Sequence, residues 1–259
     1  MPEILEAEAY RRLAEGVVGR TVAAVEVPDP LYPKDGVDAT GLADALVGRR
    51  ITAARRHGKV VLLDSGGPTL GLRFGMTGRL LVDGRAAIEY LEWGGRRSDP
   101  AWVRFGLAFR GGGRLWIDDP RRLGRVELAP DLTALGPDAW SLRLKELRGA
   151  LAHGRGPLKA RLLDQARVAG LGNLLIDEVA WRSGLSPLRS AGSLEDCEVR
   201  RLHRTIRRTL DQMDRRGGSH TGDLFDHRRP GGTCPRDGAP LRRDTVGGRT
   251  SWWCPEHQV

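Results

Sequence analysis

Leu162-Leu-Asp-Gln165-Ala-Arg-Val-Ala-Gly170-Leu-Gly172-Asn173-Leu-Leu-Ile-Asp177-Glu178 is the stretch on which the fold turns. Apolar residues recur at helical spacing on both sides of Gly170-Leu-Gly172, so two helices are expected to meet at a glycine-rich turn. Asn173 stands where the cap of the second helix belongs. Unpaired backbone N–H groups and the helix dipole at such a start favour an anion, and glycine lets a phosphate backbone come close. An ordinary helical hairpin could use the same residues.

Outward from this hairpin, helical patterns cover 141–152, 157–168, 173–183 and 193–216. The last places Val199, Leu202, Ile206, Leu210 and Met213 on one face, with a Ser193/Asp196 capping pattern before it and Gly217 after it. Upstream, from 21 to about 128, short β-branched and aliphatic runs alternate with glycine-rich turns such as Gly66-Gly67 and Gly111-Gly112-Gly113. Strands at that spacing predict a sandwich or barrel. Leu5, Tyr10, Leu13 and Val17 make an opening helix, 217–233 reads as loop, and a hairpin is expected around Gly247-Gly248. The expected fold class is α+β and multi-domain. Its parts are an N-terminal β-sandwich domain with an opening helix (1–130), a helical domain (131–233) and a C-terminal hairpin (234–259).

Lys and Arg number 42 against 33 Asp and Glu, a net charge of +9, which suits a polyanionic partner better than a neutral metabolite. A solvated, arginine-rich surface would give the same count. The start lacks a signal-peptide pattern and no apolar run approaches membrane-spanning length, so a soluble, cytoplasmic protein with no membrane partner is expected, and a monomer is taken as its state. Cys197, Cys234 and Cys254 are too few and too uneven for a disulfide framework. Metal binding is the better use for two of them.

Met1-Pro2 is a start that is normally trimmed, leaving a secondary amine. Such an amine attacks a carbonyl-like carbon only when neutral, and a helix N-terminus and a nearby Lys both disfavour its cation. Glu3 opposes that shift if ionised, yet can serve as general acid or base. Pro and Glu are also ordinary choices for the first turn of any helix.

Together with five further segments, Met1-Pro2-Glu3 resembles the formamidopyrimidine-DNA glycosylase and endonuclease VIII family, and the resemblance runs over nearly the whole chain. Arg55-Arg-His-Gly-Lys59-Val-Val-Leu-Leu-Asp64 looks like the family's strand carrying the catalytic Lys, here Lys59. Leu72-Arg-Phe-Gly-Met76-Thr-Gly-Arg79 is similar to the loop whose Met fills the hole left by an everted base. Asp118-Asp119-Pro120-Arg121-Arg122-Leu123-Gly124 looks like the second intercalation loop, with Arg121 facing the orphaned base and Leu123 as wedge where the family usually has Phe. The 162–178 hairpin resembles the family's helix-two-turn-helix, which implies phosphate contacts for Asn173 and Lys159. Cys234-Pro-Arg-Asp237 and Cys254-Pro-Glu-His257 stand where the family has the two C-x2-C pairs of a zinc ribbon. Cys234, Asp237, Cys254 and His257 remain acceptable zinc ligands. A ribbon that has lost its metal and packs on Trp252 and Trp253 is the competing idea. Arg249 matches a hairpin-tip Arg that reaches phosphates.

The resemblance implies a DNA glycosylase and abasic-site lyase acting on double-stranded DNA that contains damaged bases or abasic sites. Pro2 is the implied nucleophile, with one structural zinc and no metal at the reaction centre. The family's long loop for 8-oxoguanine looks short here, between 218 and 233, so ring-opened purines, oxidised pyrimidines or abasic sites are expected to be the better substrates. A non-catalytic binder of damaged DNA on the same scaffold is the alternative, but it has no use for Pro2, Glu3 and Lys59 together. An RNA-binding module is a third reading, which the Met76, Arg121 and Leu123 set suits less well.

Overall fold

The computed structural model describes residues 2–88, 91, 99–152 and 154–259. Two compact units emerge: Met1–Pro2 with Glu6–Leu132, and Glu3–Leu5 with Thr133–Val259. Met1, whose removal is expected, lies outside the described residues, and no described helix is long and apolar enough to cross a membrane.

The first unit contains most of α1 (Ile4–Ala14), then β1 (Val22–Glu26), α2 (Ala39–Leu46), β2 (Ala53–His57), β3 (Val60–Asp64) and β4 (Leu70–Arg73). It continues with β5 (Arg79–Val82), β6 (Arg85–Ala86), β7 (Val103–Phe109), β8 (Arg114–Asp118) and β9 (Arg125–Leu128). Two antiparallel sheets form, one ordered β1-β7-β8-β5-β6 and the other β2-β3-β4-β9. The apolar runs explain why both exist. Val61 and Leu63 on β3, Leu70 and Leu72 on β4, and Phe105, Leu107, Leu115 and Ile117 on β7 and β8 share one core with Tyr10 of α1. Burying such side chains yields roughly 1.5–3 kcal/mol each, enough to order short strands whose intrinsic preference is weak. Helix α2 was not anticipated by the strand-only reading of 21–128. Its signals are present: the Asp38 carboxylate caps it by accepting the Gly41 N–H at 2.8 Å, and Leu42 and Leu46, one helical turn apart, are buried.

The second unit holds α3 (Leu144–Leu151), α4 (Leu158–Leu163), α5 (Asn173–Ser183), α6 (Asp196–Arg216) and the hairpin of β10 (Arg242–Val246) and β11 (Arg249–Trp253). The expected buried face of α6 is present, with Val199, Leu202, Ile206, Leu210 and Met213 inside. Its start moves from the expected Ser193/Asp196 pair to Glu195, whose backbone N–H donates to the Glu198 carboxylate at 2.9 Å. Gly217 ends α6 with φ 107, a backbone that a Cβ disfavours. Gly247 and Gly248, φ 58 and 72, make the two-residue turn that joins β10 to β11. That hairpin is not a separate body, because Cys234 and Cys254 pack with Trp181 of α5 and Leu224 in one small core.

Candidate active site and nucleic-acid interface

Lys59 is the second residue of a two-residue turn, Gly58-Lys59, that closes the β2–β3 hairpin at the His57–Val60 pair. It therefore lies just ahead of the strand on which the sequence placed it. Gly58 takes φ 56 there. Pro2 is buried and lines a cavity of about 190 Å³ together with Lys59, Arg73, Phe74, Gly75, Leu123 and Arg125. Three cationic side chains thus share walls with the Pro2 ring. Two are partly neutralised, since Arg73 donates to both Glu127 oxygens at 3.1 and 2.9 Å and Arg125 pairs with Glu127. Those guanidinium groups hold the Glu127 carboxyl below its usual range against the opposing effect of burial. A positive surround of this kind disfavours a protonated amine.

The second unit contains Glu3, which is fully buried. Its carboxylate accepts the N–H groups of Leu174 at 2.8 Å and Leu175 at 3.1 Å, at the N-terminus of α5. Gly172, not Asn173, is the residue preceding the helix, and Asn173 is its first helical residue. The expected cap by Asn173 is therefore replaced by Glu3, which satisfies two otherwise unpaired donors and the helix dipole at once. Two of the amides read as a phosphate cradle are consequently occupied. The approach depends on glycine: a Cβ at Gly172 would lie 2.5 Å from Glu3 Oε1, and one at Gly170, φ 111, would lie 2.6 Å from Ile4 Cδ1. Asn173 Oδ1 is buried without a hydrogen-bond partner, the kind of unmet acceptor that calls for explanation at a ligand site.

Lys159, expected to grip a phosphate, is fully buried. Its Nζ donates to Asp177 Oδ1 at 2.6 Å and to the Thr250 carbonyl at 2.8 Å. Burial pushes this ammonium below the ordinary lysine range, while Asp177 pulls it back. The structure places the Lys159 charge in an internal ion pair, away from the exposed position a phosphate contact implies. Asp177 is the hub of that pair. It also accepts Ser251 Oγ at 2.9 Å, the Trp252 N–H at 3.2 Å and Arg228 Nη2 at 3.0 Å. Next to it, Glu178 takes the N–H groups of Asp223 and Leu224 at 3.0 and 2.9 Å, so segment 217–233 is tied to α5 at two neighbouring residues. Neither carboxylate was singled out from sequence, although both lie in the stretch that decided the fold. Arg249 is exposed beside the hairpin turn.

Met76 sits half-buried in the β4–β5 connection, and Arg121 and Leu123 are exposed in the β8–β9 connection, Leu123 at 47%. An exposed large aliphatic residue in a constrained loop is available to a partner. Among the described residues Arg121 has no ion-pair partner.

The sulfur, nitrogen and oxygen donors of Cys234, Asp237, Cys254 and His257 all lie within 4.8 Å of one another, close enough to hold one metal ion. The donor set fits: two thiols, an imidazole and a carboxylate are borderline-soft to hard ligands of the tetrahedral kind. His257 Nδ1 is 2.7 Å from Asp237 Oδ2, while its Nε2 lies 3.2 Å from the Trp181 carbonyl, which fixes which nitrogen faces the cluster. Trp181 Nε1 donates to Cys234 Sγ at 3.2 Å. The Ala239 N–H and His257 hold the Asp237 carboxyl far below its usual range, whereas burial pushes the Cys254 thiol up to about 11.

A β-sandwich unit followed by a helix-two-turn-helix unit with a cysteine-bearing hairpin defines a specific class of two-part proteins, and known families bear this out. Residues 1–126 match the formamidopyrimidine-DNA glycosylase N-terminal domain, and residues 134–223 match the formamidopyrimidine-DNA glycosylase H2TH domain. The formamidopyrimidine-DNA glycosylase of Cereibacter sphaeroides is 35% identical over 294 residues, covering 100% of both chains. That of Thermus thermophilus is 34% identical over 288 residues, covering 100% of this chain and 98% of its own. Among solved structures, the LlFpg protein in complex with THF-DNA and an inhibitor superposes with a TM-score of 0.84 at 26% identity over 100% of both chains. Lactococcus lactis Fpg bound to Fapy-dG DNA gives 0.83 at 26% identity over 99% of each. The chain belongs to the formamidopyrimidine-DNA glycosylase family.

Proposed function

We propose that this chain is a DNA-repair glycosylase and abasic-site lyase whose nucleophile is the freed amine of Pro2. The placing of Pro2 in one cavity with Lys59 carries the reading. With Met1 removed, the neutral amine attacks C1′ of the damaged nucleotide, and the base leaves as the C1′–N bond breaks. Glu3 moves protons at the base and sugar, and Lys59 steadies the developing charge. The C1′–O4′ bond then breaks, O4′ taking a proton, and the opened adduct is an iminium that acidifies C2′; loss of a C2′ proton expels the 3′-phosphate and cleaves the strand. The chemistry uses the chain's own groups throughout. The metal cluster, which we assign to one structural zinc, holds the β10–β11 hairpin and Arg249 in place.

Family resemblance suggests that Asn173 and Arg249 hold phosphates of a damaged duplex, while Met76 fills the space of the everted base, Arg121 faces the orphaned base and Leu123 is the wedge. The expected setting is a cytoplasmic, nucleoid-associated monomer. Ring-opened purines, oxidised pyrimidines and abasic sites are the preferred substrates in this reading, with 8-oxoguanine a poor one. The short segment 217–233, tied down by Asp177 and Glu178, supports it, because a tethered segment is poorly suited to fold over a bulky base. Lactococcus lactis Fpg has been captured with oxidised-pyrimidine DNA and with an abasic site.

Incubation with an abasic oligonucleotide and borohydride tests the nucleophile. A covalent adduct is expected with the trimmed wild type, not with a form retaining Met1, and only weakly with Pro2→Gly. An equal yield from the Met1-bearing form refutes the assignment. For substrate choice, single-turnover cleavage of 8-oxoguanine as fast as that of dihydrouracil refutes the preference.

A further inference from the structure

The connections bearing Met76 and Leu123 come from different parts of the sequence, yet one buried side chain holds both. Asp119 is fully inaccessible. Its Oδ1 accepts Thr77 Oγ1 at 2.6 Å, and Thr77 directly follows Met76. Its Oδ2 accepts the Gly124 N–H at 2.7 Å, and Gly124 directly follows Leu123; Tyr32 donates to the same oxygen at 3.4 Å. Thr77 is also fully buried, so neither bond is exchanged freely with water.

Other local features close the arrangement. The backbones of Gly75 and Leu123 are so near that a Cβ on Gly75, φ 57, would overlap the Leu123 carbonyl group. Arg122 takes φ 56, rare for a residue with a side chain, and is held there by two bonds to Asp29 at 2.6 and 2.7 Å. Asp29 is itself only 4% exposed. The backbone N–H of Arg122 and the Arg104 guanidinium both donate to the Asp119 carbonyl, at 3.3 and 2.9 Å. The backbone on which Met76, Arg121 and Leu123 stand is thus fixed on several sides. The outward-facing Arg121 and Leu123 side chains are left exposed.

We infer that Asp119, acting through Thr77 and Gly124, is a positioning residue that sets the two loops in register so that Met76 and Leu123 enter a duplex as one unit. The inference rests on the proposed wedge role of those two side chains. Its physical content is preorganisation: a wedge whose loops must order during base eversion forfeits part of the contact energy that offsets lost stacking. Asp119 touches no substrate, so its effect should appear only where a stacked base has to be displaced.

Thr77→Val removes the hydroxyl bond at nearly constant volume, Thr77→Ser restores it, and Asp119→Asn removes the charge. Leu123→Ala reports on the wedge itself. Each is compared with wild type in single-turnover excision of dihydrouracil from a duplex carrying 2-aminopurine beside the lesion, and in borohydride trapping on a single-stranded abasic oligonucleotide. The value of a buried hydrogen bond to a charged group predicts excision slowed by about tenfold to a hundredfold in Thr77→Val. The 2-aminopurine signal should be delayed to match, Thr77→Ser should recover, and trapping should be unchanged. Excision by Thr77→Val and Asp119→Asn at the wild-type rate, with Leu123→Ala slowed, overturns the inference and leaves the wedge reading standing. Equal slowing on both substrates overturns it as well, since that marks general destabilisation. If Leu123→Ala also works at the wild-type rate, the wedge reading fails and takes this inference with it.

Discussion

Gly172→Ala tests how the carboxylate of Glu3 is held. Gly172 has φ −127 and ψ −168, extended backbone that alanine adopts freely, so the substitution adds a methyl group without backbone strain. That methyl would come within 2.5 Å of Glu3 Oε1. The carboxylate must leave the α5 N-terminus, and the Leu174 and Leu175 N–H groups lose their acceptor. Hydrogen bonds to a charged group are worth about 1.5–3 kcal/mol each, and an uncapped helix start costs about 1 kcal/mol. Allowing one bond to re-form after relaxation, the expected loss is about 2–4 kcal/mol. The assay is the unfolding transition of the full chain in urea, followed by helix circular dichroism, beside single-turnover excision. Glu3→Gln, which keeps the shape and one acceptor, should lose less stability than Gly172→Ala while losing comparable activity. A Gly172→Ala protein as stable and as active as wild type refutes the claim that Glu3 both caps α5 and depends on that cap for its place.

Lys159→Met leaves Asp177 with Arg228 as its charged partner and should cost about 3–5 kcal/mol in a denaturation series. The slope of log Kd against log salt for duplex binding should stay at the wild-type value, because no phosphate contact is lost. Arg249→Ala should behave in the opposite way, with unchanged stability and a slope shallower by about one. In the metal-free protein the raised Cys254 thiol contributes stability in full below its ordinary value of 9.0, and the contribution is lost as pH rises towards about 11. Melting of the chelator-treated protein should therefore fall across that window, while the metal-loaded protein, already a thiolate, should not. Metal binding displaces that proton, so affinity measured by competition with a chelating dye should rise between pH 6 and 8.

The sequence made the architecture legible where signals are local. Glycine turns, apolar strand runs and the period of α6 all act over a few residues, and the sandwich and the helical unit follow from them. Helix α2 was overlooked because it is only eight residues long, has Thr40 and Gly41 in its first turn and lies among strand-like runs, so its cap and two leucines are modest cues. Side-chain roles resting on distant partners were not legible. Lys159 looks exposed until Asp177, eighteen positions on, takes its charge. Glu3 caps a helix 171 positions away, which no local pattern reveals, and so displaced the cap assigned to Asn173. Asp119 reads as a turn residue beside a proline, and nothing nearby shows that it also bonds Thr77. The chain's last segment was the reverse case, since the spacing of its four candidate ligands, read with the resemblance to a zinc ribbon, named residues whose donors do lie together.

The ligands gathered by Asp177 come from residues 159, 228, 251 and 252. During synthesis that carboxylate and its lysine partner emerge long before the hairpin that completes them. The ion pair can thus form early, within the helices, while the bonds from Ser251 and the Trp252 N–H that complete the carboxylate arrive last. Removing Ser251 and Trp252 would strip two donors from a fully enclosed carboxylate on α5, so a cut made at the hairpin would be felt inside the helices.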